Sequence, residues 1–297
     1  MMYTEKIYKL LDGLEIATKE IGNLESEKKI LTLHGWLDNA NSFDFLISNF
    51  DLENFHIVQM DFSGHGKSSH KQPYSHYNIA SRVSEVYQLI ELLKWHKYIL
   101  IGHSMGAAVA TIYASLYSKN ITDLILIDSL GPFVRPDLSA RKLLMLNISS
   151  NQNLIKKPPK YFKTYENLVD NSYAARQRDI SKESLTYLLK RGFVKSSEGY
   201  RYSHHILCQG ISQYQYHEED IIDMLKNIQC PTLFILCSNS VELFSQSGIP
   251  TAMRKRHEYV PNIKVEIVEK SAHHLHMDKP KEVFNLINKF LALKSKL

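Results

Sequence analysis

Tyr98-Ile99-Leu100-Ile101-Gly102-His103-Ser104-Met105-Gly106-Ala107-Ala108-Val109-Ala110 decides the fold. Four apolar residues predict a buried strand. A Gly-x-Ser-x-Gly turn follows, and the small-residue run after it predicts a helix. Small residues two places either side of Ser104 let the backbone turn sharply enough to leave Oγ exposed at the strand end. The helix that follows directs its first N–H groups at the same point, where a negatively charged oxygen is stabilised. Without the strand before it and the helix after it, the five-residue motif carries little weight. With both, Ser104 is a candidate nucleophile.

Working outward, strands and helices alternate. Leu14–Thr18 alternates like an exposed edge strand, Lys29–Leu33 is an apolar strand ending at His34-Gly35, and Asn54–Met60 is another ending at Asp61. Apolar residues at Ile79, Val83, Val86, Leu89, Ile90 and Leu93 repeat with helical period. Strand Tyr98–Ile101, helix Met105–Tyr117 and strand Asp123–Ile127 come next. The rhythm resumes with strand Pro231–Leu236, a helix over Gly248–His257, strand Ile263–Val268 and a closing helix Lys281–Leu293. Buried strands separated by helices predict a doubly wound, mostly parallel sheet. Ligands bind such sheets beyond the carboxyl ends of the strands, where Ser104, His34, Asp61 and Asp128 all fall.

Residues 131–225 break the alternation. They open with Gly131-Pro132-Phe133-Val134-Arg135-Pro136, contain Pro158-Pro159 and are mainly helical in pattern, with a capping-box start at Ser181-Lys182-Glu183-Ser184. The expected division is a core of residues 1–130 and 226–297, with 131–225 inserted as a lid over the strand ends. An independent second domain is the other reading, but the chain returns afterwards to complete the sheet.

The 297 residues are 44% hydrophobic and 23% charged, an ordinary balance for a globular protein. The formal net charge of +5 comes from scattered Lys and Arg with no interleaved basic–aromatic run, which argues against a nucleic-acid partner. Acidic residues interrupt the first residues where a secretory leader needs an apolar stretch, and no apolar run approaches a membrane span. Cys208, Cys230 and Cys237 have neither zinc spacing nor an even count for a disulfide framework, so a cytoplasmic location is expected. No Gly-x-Gly-x-x-Gly turn follows the first strand, which removes the dinucleotide-binding reading, and no cofactor is expected.

An acyl-transfer serine needs a base, an orienting acid and an oxyanion hole. Four motifs bear on them: Leu33-His34-Gly35-Trp36-Leu37-Asp38, Asp61-Phe62-Ser63-Gly64-His65-Gly66-Lys67-Ser68, the serine turn, and Ser271-Ala272-His273-His274-Leu275-His276-Met277-Asp278-Lys279-Pro280. Together they resemble the α/β-hydrolase family over nearly the whole chain outside the insertion. With Leu124-Ile125-Leu126-Ile127-Asp128-Ser129-Leu130-Gly131-Pro132 they resemble its serine hydrolase-like subgroup. The resemblance implies an α/β-hydrolase fold and chain order Ser, acid, His. Its pattern sets the histidine seven residues before the proline that opens the last helix, selecting His273 with His274 as runner-up. His276 is read as packing or facing the lid. Most relatives place the acid after the strand matching Pro231–Leu236, but here that turn reads Cys237-Ser238-Asn239-Ser240, with Glu242 the first acid beyond it. Some relatives take the acid from the end of the strand after the nucleophile helix, which selects Asp128, with Glu242 the alternative. The resemblance points to the N–H groups of Trp36 and Met105 as the oxyanion hole. The Trp36 side chain, His103 and His274 are the expected substrate contacts. Asp61 and its glycine-rich turn are read as bracing alone.

The expected activity is hydrolysis of a small to medium carboxylic ester or thioester through an acyl-serine. A carbon–carbon bond hydrolase remains open, as does a hydrolase-fold binding or regulatory protein with a weakened triad, because the usual acid is missing. A metal site at His273, His274 and His276 fits the spacing less well than the hydrolase pattern does. Leu143, Leu144, Leu146, Tyr161, Phe162, Tyr165, Tyr173, Tyr187, Tyr200 and Tyr202 in the insertion suit either its own packing or a modest apolar pocket.

Overall fold

Alternation of leucine and isoleucine along the central strands builds the layers of this computed structural model, which describes residues 2–72, 75–176, 179–240 and 255–293. In β3 (Lys29–Leu33), β5 (Tyr98–His103) and β6 (Ile121–Ile127), residues Leu31, Leu33, Leu100, Leu124 and Leu126 face one core. Ile30, Ile99, Ile101, Ile125 and Ile127 face the other. Successive strand residues point to opposite sides, so a strand buried on both faces divides its apolar residues this way. Helices α2 (Ile79–Leu93), α3 (Met105–Tyr117) and α7 (Glu218–Lys226) cover the leucine face. The short α1 (Asp44–Ile47), α8 (Leu275–Asp278) and α9 (Pro280–Ala292) cover the isoleucine face.

The sheet is completed by β1 (Thr4–Lys9), β2 (Glu15–Gly22), β4 (His56–Met60), β9 (Thr232–Cys237) and β10 (Ile263–Val268), in the order β1-β2-β4-β3-β5-β6-β9-β10. All pairs are parallel except β1 with β2 and β2 with β4. This is the doubly wound, mostly parallel sheet that the strand–helix alternation predicts. One strand assignment needs correction. Leu14–Thr18 is not an edge: β2 is paired on both sides and buries Ile16–Ile21, and the edge is β1, whose residues are almost all exposed. The helix expected over Gly248–His257 lies mostly outside the described residues, which show a short 3-10 turn at Arg256–Tyr259.

Helix limits follow local chemistry. Asn78 Oδ1 accepts the Ser81 N–H at 2.9 Å and starts α2, Lys94 in the left-handed region ends it, and Pro280 opens α9. The 131–225 segment holds α4 (Ala140–Lys156), α5 (Tyr165–Arg176) and α6 (Lys182–Leu189), the last capped by Ser181 as the sequence predicts. It also carries an antiparallel hairpin, β7 (Phe193–Ser196) with β8 (Gly199–Tyr202), so "mainly helical" is incomplete. Phe162, Leu168, Val169, Leu185 and Leu188 form a separate apolar cluster with Tyr165, Tyr173, Tyr200 and Tyr202 packed on it, so most of the aromatic residues noted above pack the insertion on itself. Ile221 and Leu225 of α7 pack in the main core ahead of β9.

The serine turn is held by close backbone approach. A Cβ on Gly106 would stand 2.0 Å from the Leu33 carbonyl oxygen, so α3 sits on β3 only because that residue lacks a side chain. We therefore expect Gly106→Ala to lower unfolding stability by about 3 kcal/mol or more. Urea denaturation measures this, and an unchanged midpoint would contradict the packing described.

Candidate active site

Two parallel neighbours, β5 and β6, end by delivering Ser104 and Asp128. The ladder continues one step past each strand: the Ser104 N–H donates to the Ile127 carbonyl at 2.9 Å, and the Asp128 N–H donates to the Ile235 carbonyl at 2.8 Å. Both residues then leave ordinary backbone space, Ser104 at φ 52° and Asp128 at φ 54°. Non-glycine residues in this region are uncommon and carry strain of about 1–3 kcal/mol where the surroundings enforce it.

His273, in the loop between β10 and α8, joins them. Its Nε2 lies 2.8 Å from Ser104 Oγ, and its Nδ1 lies 2.6 Å from Asp128 Oδ2. With the carboxylate on Nδ1, that nitrogen carries the proton and Nε2 is left to accept from the serine. The Asp128 side chain is fully buried and the His273 ring is partly open to solvent. Burial alone would lower the ring's pKa, but the hydrogen bond and charge of Asp128 outweigh it and raise it above the ordinary 6.5.

Asp128 has further donors. The Cys237 N–H reaches Oδ1 at 3.0 Å, and Ser240 Oγ donates to Oδ2 at 2.8 Å, with the Cys237 thiol also directed at it. The turn after β9 thus supplies hydrogen-bond donors to the Asp128 carboxylate. Glu242, the alternative acid, lies outside the described residues.

Trp36 follows β3 and half of its side chain is exposed. Its indole N–H donates to the Cys208 carbonyl at 2.6 Å, tying this loop to the insertion. The loop is braced by buried histidines: His34 Nδ1–H donates to the Gly35 carbonyl at 2.7 Å, its Nε2 accepts from the Phe62 N–H at 3.0 Å, and His65 Nε2 accepts from the Leu37 N–H at 3.3 Å. Asp61 accepts from the N–H groups of Ala40 and Lys67 and from Arg191 Nε, so its partners are structural. Met105 opens α3, where its N–H has no intrahelical partner.

The remaining histidines separate. His276 is fully buried with Nε2 2.7 Å from Ser42 Oγ, which places it in packing. His103 borders the cavity beside Ser104 but is buried: its Nε2 lies 2.9 Å from the His273 carbonyl, and its ring packs on those of His273, His274 and His276. It supports His273 from below. His274 borders the cavity beside Ser104 but is itself buried, with Nε2 3.1 Å from Asp38 Oδ2 and Nδ1 3.0 Å from the Asp179 carbonyl.

Asp38 and Arg176 were not singled out as site residues in the sequence. Arg176, at the end of α5, donates to Asp38 Oδ1 at 2.8 Å and borders the cavity. Burial would raise the Asp38 carboxyl, yet His274 and Arg176 hold it well below the usual carboxylate range. The only sequence signal was the position of Asp38 in the His34–Asp38 motif, because its partners are far away in the chain. Among the described residues, Asp38, His103 and His274 bring three possible ligand atoms within 4.8 Å of one another. Gly35 sits against that gap: a Cβ there would lie 2.8 Å from Asp38 Oδ2 and 2.9 Å from His103 Nδ1. The two Asp38 oxygens are already engaged by Arg176 and His274, so the site fits a charge network better than a cation.

With this geometry in place, the fold and the site define an α/β hydrolase: residues 28–280 match the alpha/beta hydrolase fold family, and the chain belongs to it. It is 29% identical to a serine hydrolase-like protein of Dictyostelium discoideum, covering 90% of this chain and 75% of that one. It is 28% identical to human serine hydrolase-like protein 2, covering 93% and 90%. The crystal structure of a hypothetical protein from Pseudomonas aeruginosa PAO1 superposes with a TM-score of 0.85 at 26% identity, covering 98% of this chain and all of that one.

The opposing influences on His273 give a measurable sign. We expect the ring to titrate above 6.5 in the wild type, and lower than that wild-type value in Asp128→Asn, where burial acts without the partner that raises it most. NMR titration of the ring reads both values, and no downward shift in the variant would contradict the geometry.

Proposed function

We propose that this chain hydrolyses a carboxylic ester or thioester through an acyl-serine intermediate, with Ser104 as nucleophile, His273 as general base and acid, and Asp128 as the orienting acid. The observation that carries the reading is the continuous chain Asp128 Oδ2–His273–Ser104 Oγ at 2.6 and 2.8 Å. His273 Nε2 takes the Ser104 proton as Oγ attacks the carbonyl, then gives it to the leaving atom. Asp128 stays ionised and stabilises the imidazolium without accepting its proton. The N–H groups of Met105 and Trp36 stabilise the tetrahedral oxyanion, a contribution that removal of one donor shows to be about a hundredfold or more. Relatives described as serine hydrolase-like support the class of chemistry.

The missing acid after β9 favours the binding-protein alternative, while the Asp128 carboxylate at 2.6 Å from His273 Nδ1 supports the enzyme reading. The Ser104 cavity, about 460 Å³, lies under the insertion and is of small-molecule size. Soluble short or medium acyl or aryl esters therefore fit the reading better than long triglycerides. Among the described residues no helix is long and apolar enough to cross a membrane. The three cysteines are free and buried, in keeping with a reducing, cytoplasmic setting.

Kinetics on p-nitrophenyl esters test the roles. Ser104→Ala and His273→Ala should lose turnover by orders of magnitude, and Asp128→Asn by up to about ten-thousandfold, since the histidine loses its tautomer and orientation. Near-wild-type turnover in folded Ser104→Ala would overturn the proposal. A dead His274→Ala beside an active His273→Ala would move the base by one residue.

A further inference from the structure

Ser104 stands at the meeting point of two cavities. The first, about 460 Å³, contains His273 and is walled by hydrogen-bonding side chains of the insertion, among them Asn171, Arg176, Tyr202, His204 and Gln209. The second, about 620 Å³, opens on the other side of the serine. Its wall is the more apolar of the two, with Ile79, Met105, Ala108, Phe133, Leu143 and Ile211, although Asn78, Arg135, Gln213 and Gln215 also reach it, and His273 is not among its walls. Both volumes fall in the range that holds a small organic molecule.

The position of His273 gives the two cavities different tasks, on the reading that Ser104 and His273 perform acyl transfer. Ser104 Oγ forms a bond to the carbonyl carbon while its proton passes to His273 Nε2. The bond from that carbon to the leaving oxygen or sulfur then breaks, and the same proton goes from Nε2 to the leaving atom. Water next attacks the acyl-serine, again losing a proton to Nε2, which returns it to Ser104 as the carboxylic acid departs. The leaving atom must therefore come within hydrogen-bond reach of Nε2, about 2.6–3.2 Å. Of the two cavities, the first has His273 on its wall. The acyl substituent, on the other side of the tetrahedral carbon, is directed away from the imidazole and into the second.

We infer that the substrate is an ester or thioester of an apolar acyl group, held between α2, α3, Phe133 and α4, with a hydrogen-bonding alcohol or thiol held against α5, Tyr202 and Gln209. The chemistry of the two walls matches the division. Apolar surface in the second cavity gains by excluding water from an aliphatic or aryl chain. In the first, polar side chains already held in place by one another, Asn171 on Tyr202 at 3.0 Å and Gln209 on His204 at 2.9 Å, have further hydrogen-bonding capacity that suits a polar leaving group. The salt bridge of Arg176 to Asp38 fixes one wall of the polar side to the loop after β3.

Two substrate series separate the subsites: p-nitrophenyl acetate, butyrate and octanoate vary the acyl group, and octanoate esters of methanol and glycerol, with the N-acetylcysteamine thioester, vary the leaving group. Ile211 and Phe133 are both exposed enough to be changed without disturbing the core. Ile211→Trp should lower the octanoate-to-acetate ratio of kcat/KM by about tenfold or more, and Phe133→Ala should raise it, both leaving the glycerol-to-methanol ratio unchanged. Gln209→Ala should lower the glycerol-to-methanol ratio and leave the acyl-length profile as it was. The inference is overturned if Ile211→Trp and Phe133→Ala alter the leaving-group ratio alone, if Gln209→Ala alters the acyl-length profile alone, or if none of these ratios moves in folded variants. These outcomes presuppose turnover that Ser104→Ala abolishes. Wild-type protein without such turnover overturns the acyl-transfer reading as well, so the two failures are distinguishable.

Discussion

The approach of α3 to β3 at Gly106 is the constraint on which the site depends. With a bare Cα at that position, the helix lies on the Leu33 carbonyl, and the chain between β5 and α3 passes through the strained turn at Ser104. The strain persists because its surroundings over-determine it: the Ser104 N–H is held by Ile127 and its carbonyl accepts the Ala108 N–H. A partly exposed serine at a helix N-terminus is the result. Asp128 repeats the device one strand over, with a left-handed backbone after the last ladder bond to β9.

The turn after β9 shows how the acid is held at the end of β6. Cys237 and Ser240 give Asp128 a backbone N–H and a hydroxyl, so the carboxylate uses both oxygens in buried surroundings while Oδ2 also meets His273. A buried carboxylate needs such partners to remain ionised. The ring of His103, its pKa pushed well down by burial, packs against those of His273 and His276 and limits the freedom of His273. The loop after β3 is fixed independently by His34, His65 and the Asp38–Arg176–His274 network, which also ties the insertion to the core.

Much of this was legible in the sequence where the signal is local or fixed by chain order. Glycine spacing around Ser104 and the alternating apolar runs gave α3, β5 and β6, and the resemblance to the α/β-hydrolase family pointed to Asp128 and His273. The rest depends on contacts between distant segments. Nothing in Thr4–Lys9 marks an edge strand that converts β2 into an interior one, and Val194 and Arg201 pair across a hairpin with weak alternation. His103, beside the nucleophile in sequence, turns out to be buried because Gly35 and three other histidines close over it. Arg176 meets Asp38 across a separation of 138 residues, which no local pattern encodes.

The central claim is that Ser104 is an activated nucleophile made so by His273 and Asp128. It is tested most directly by treating the purified protein with a fluorophosphonate and locating the adduct by intact mass and peptide mapping. The account predicts one adduct per chain, on Ser104, formed far more slowly in Asp128→Asn and absent in His273→Ala and Ser104→Ala. Wild-type protein that stays unlabelled, or carries the adduct on another residue, would contradict it.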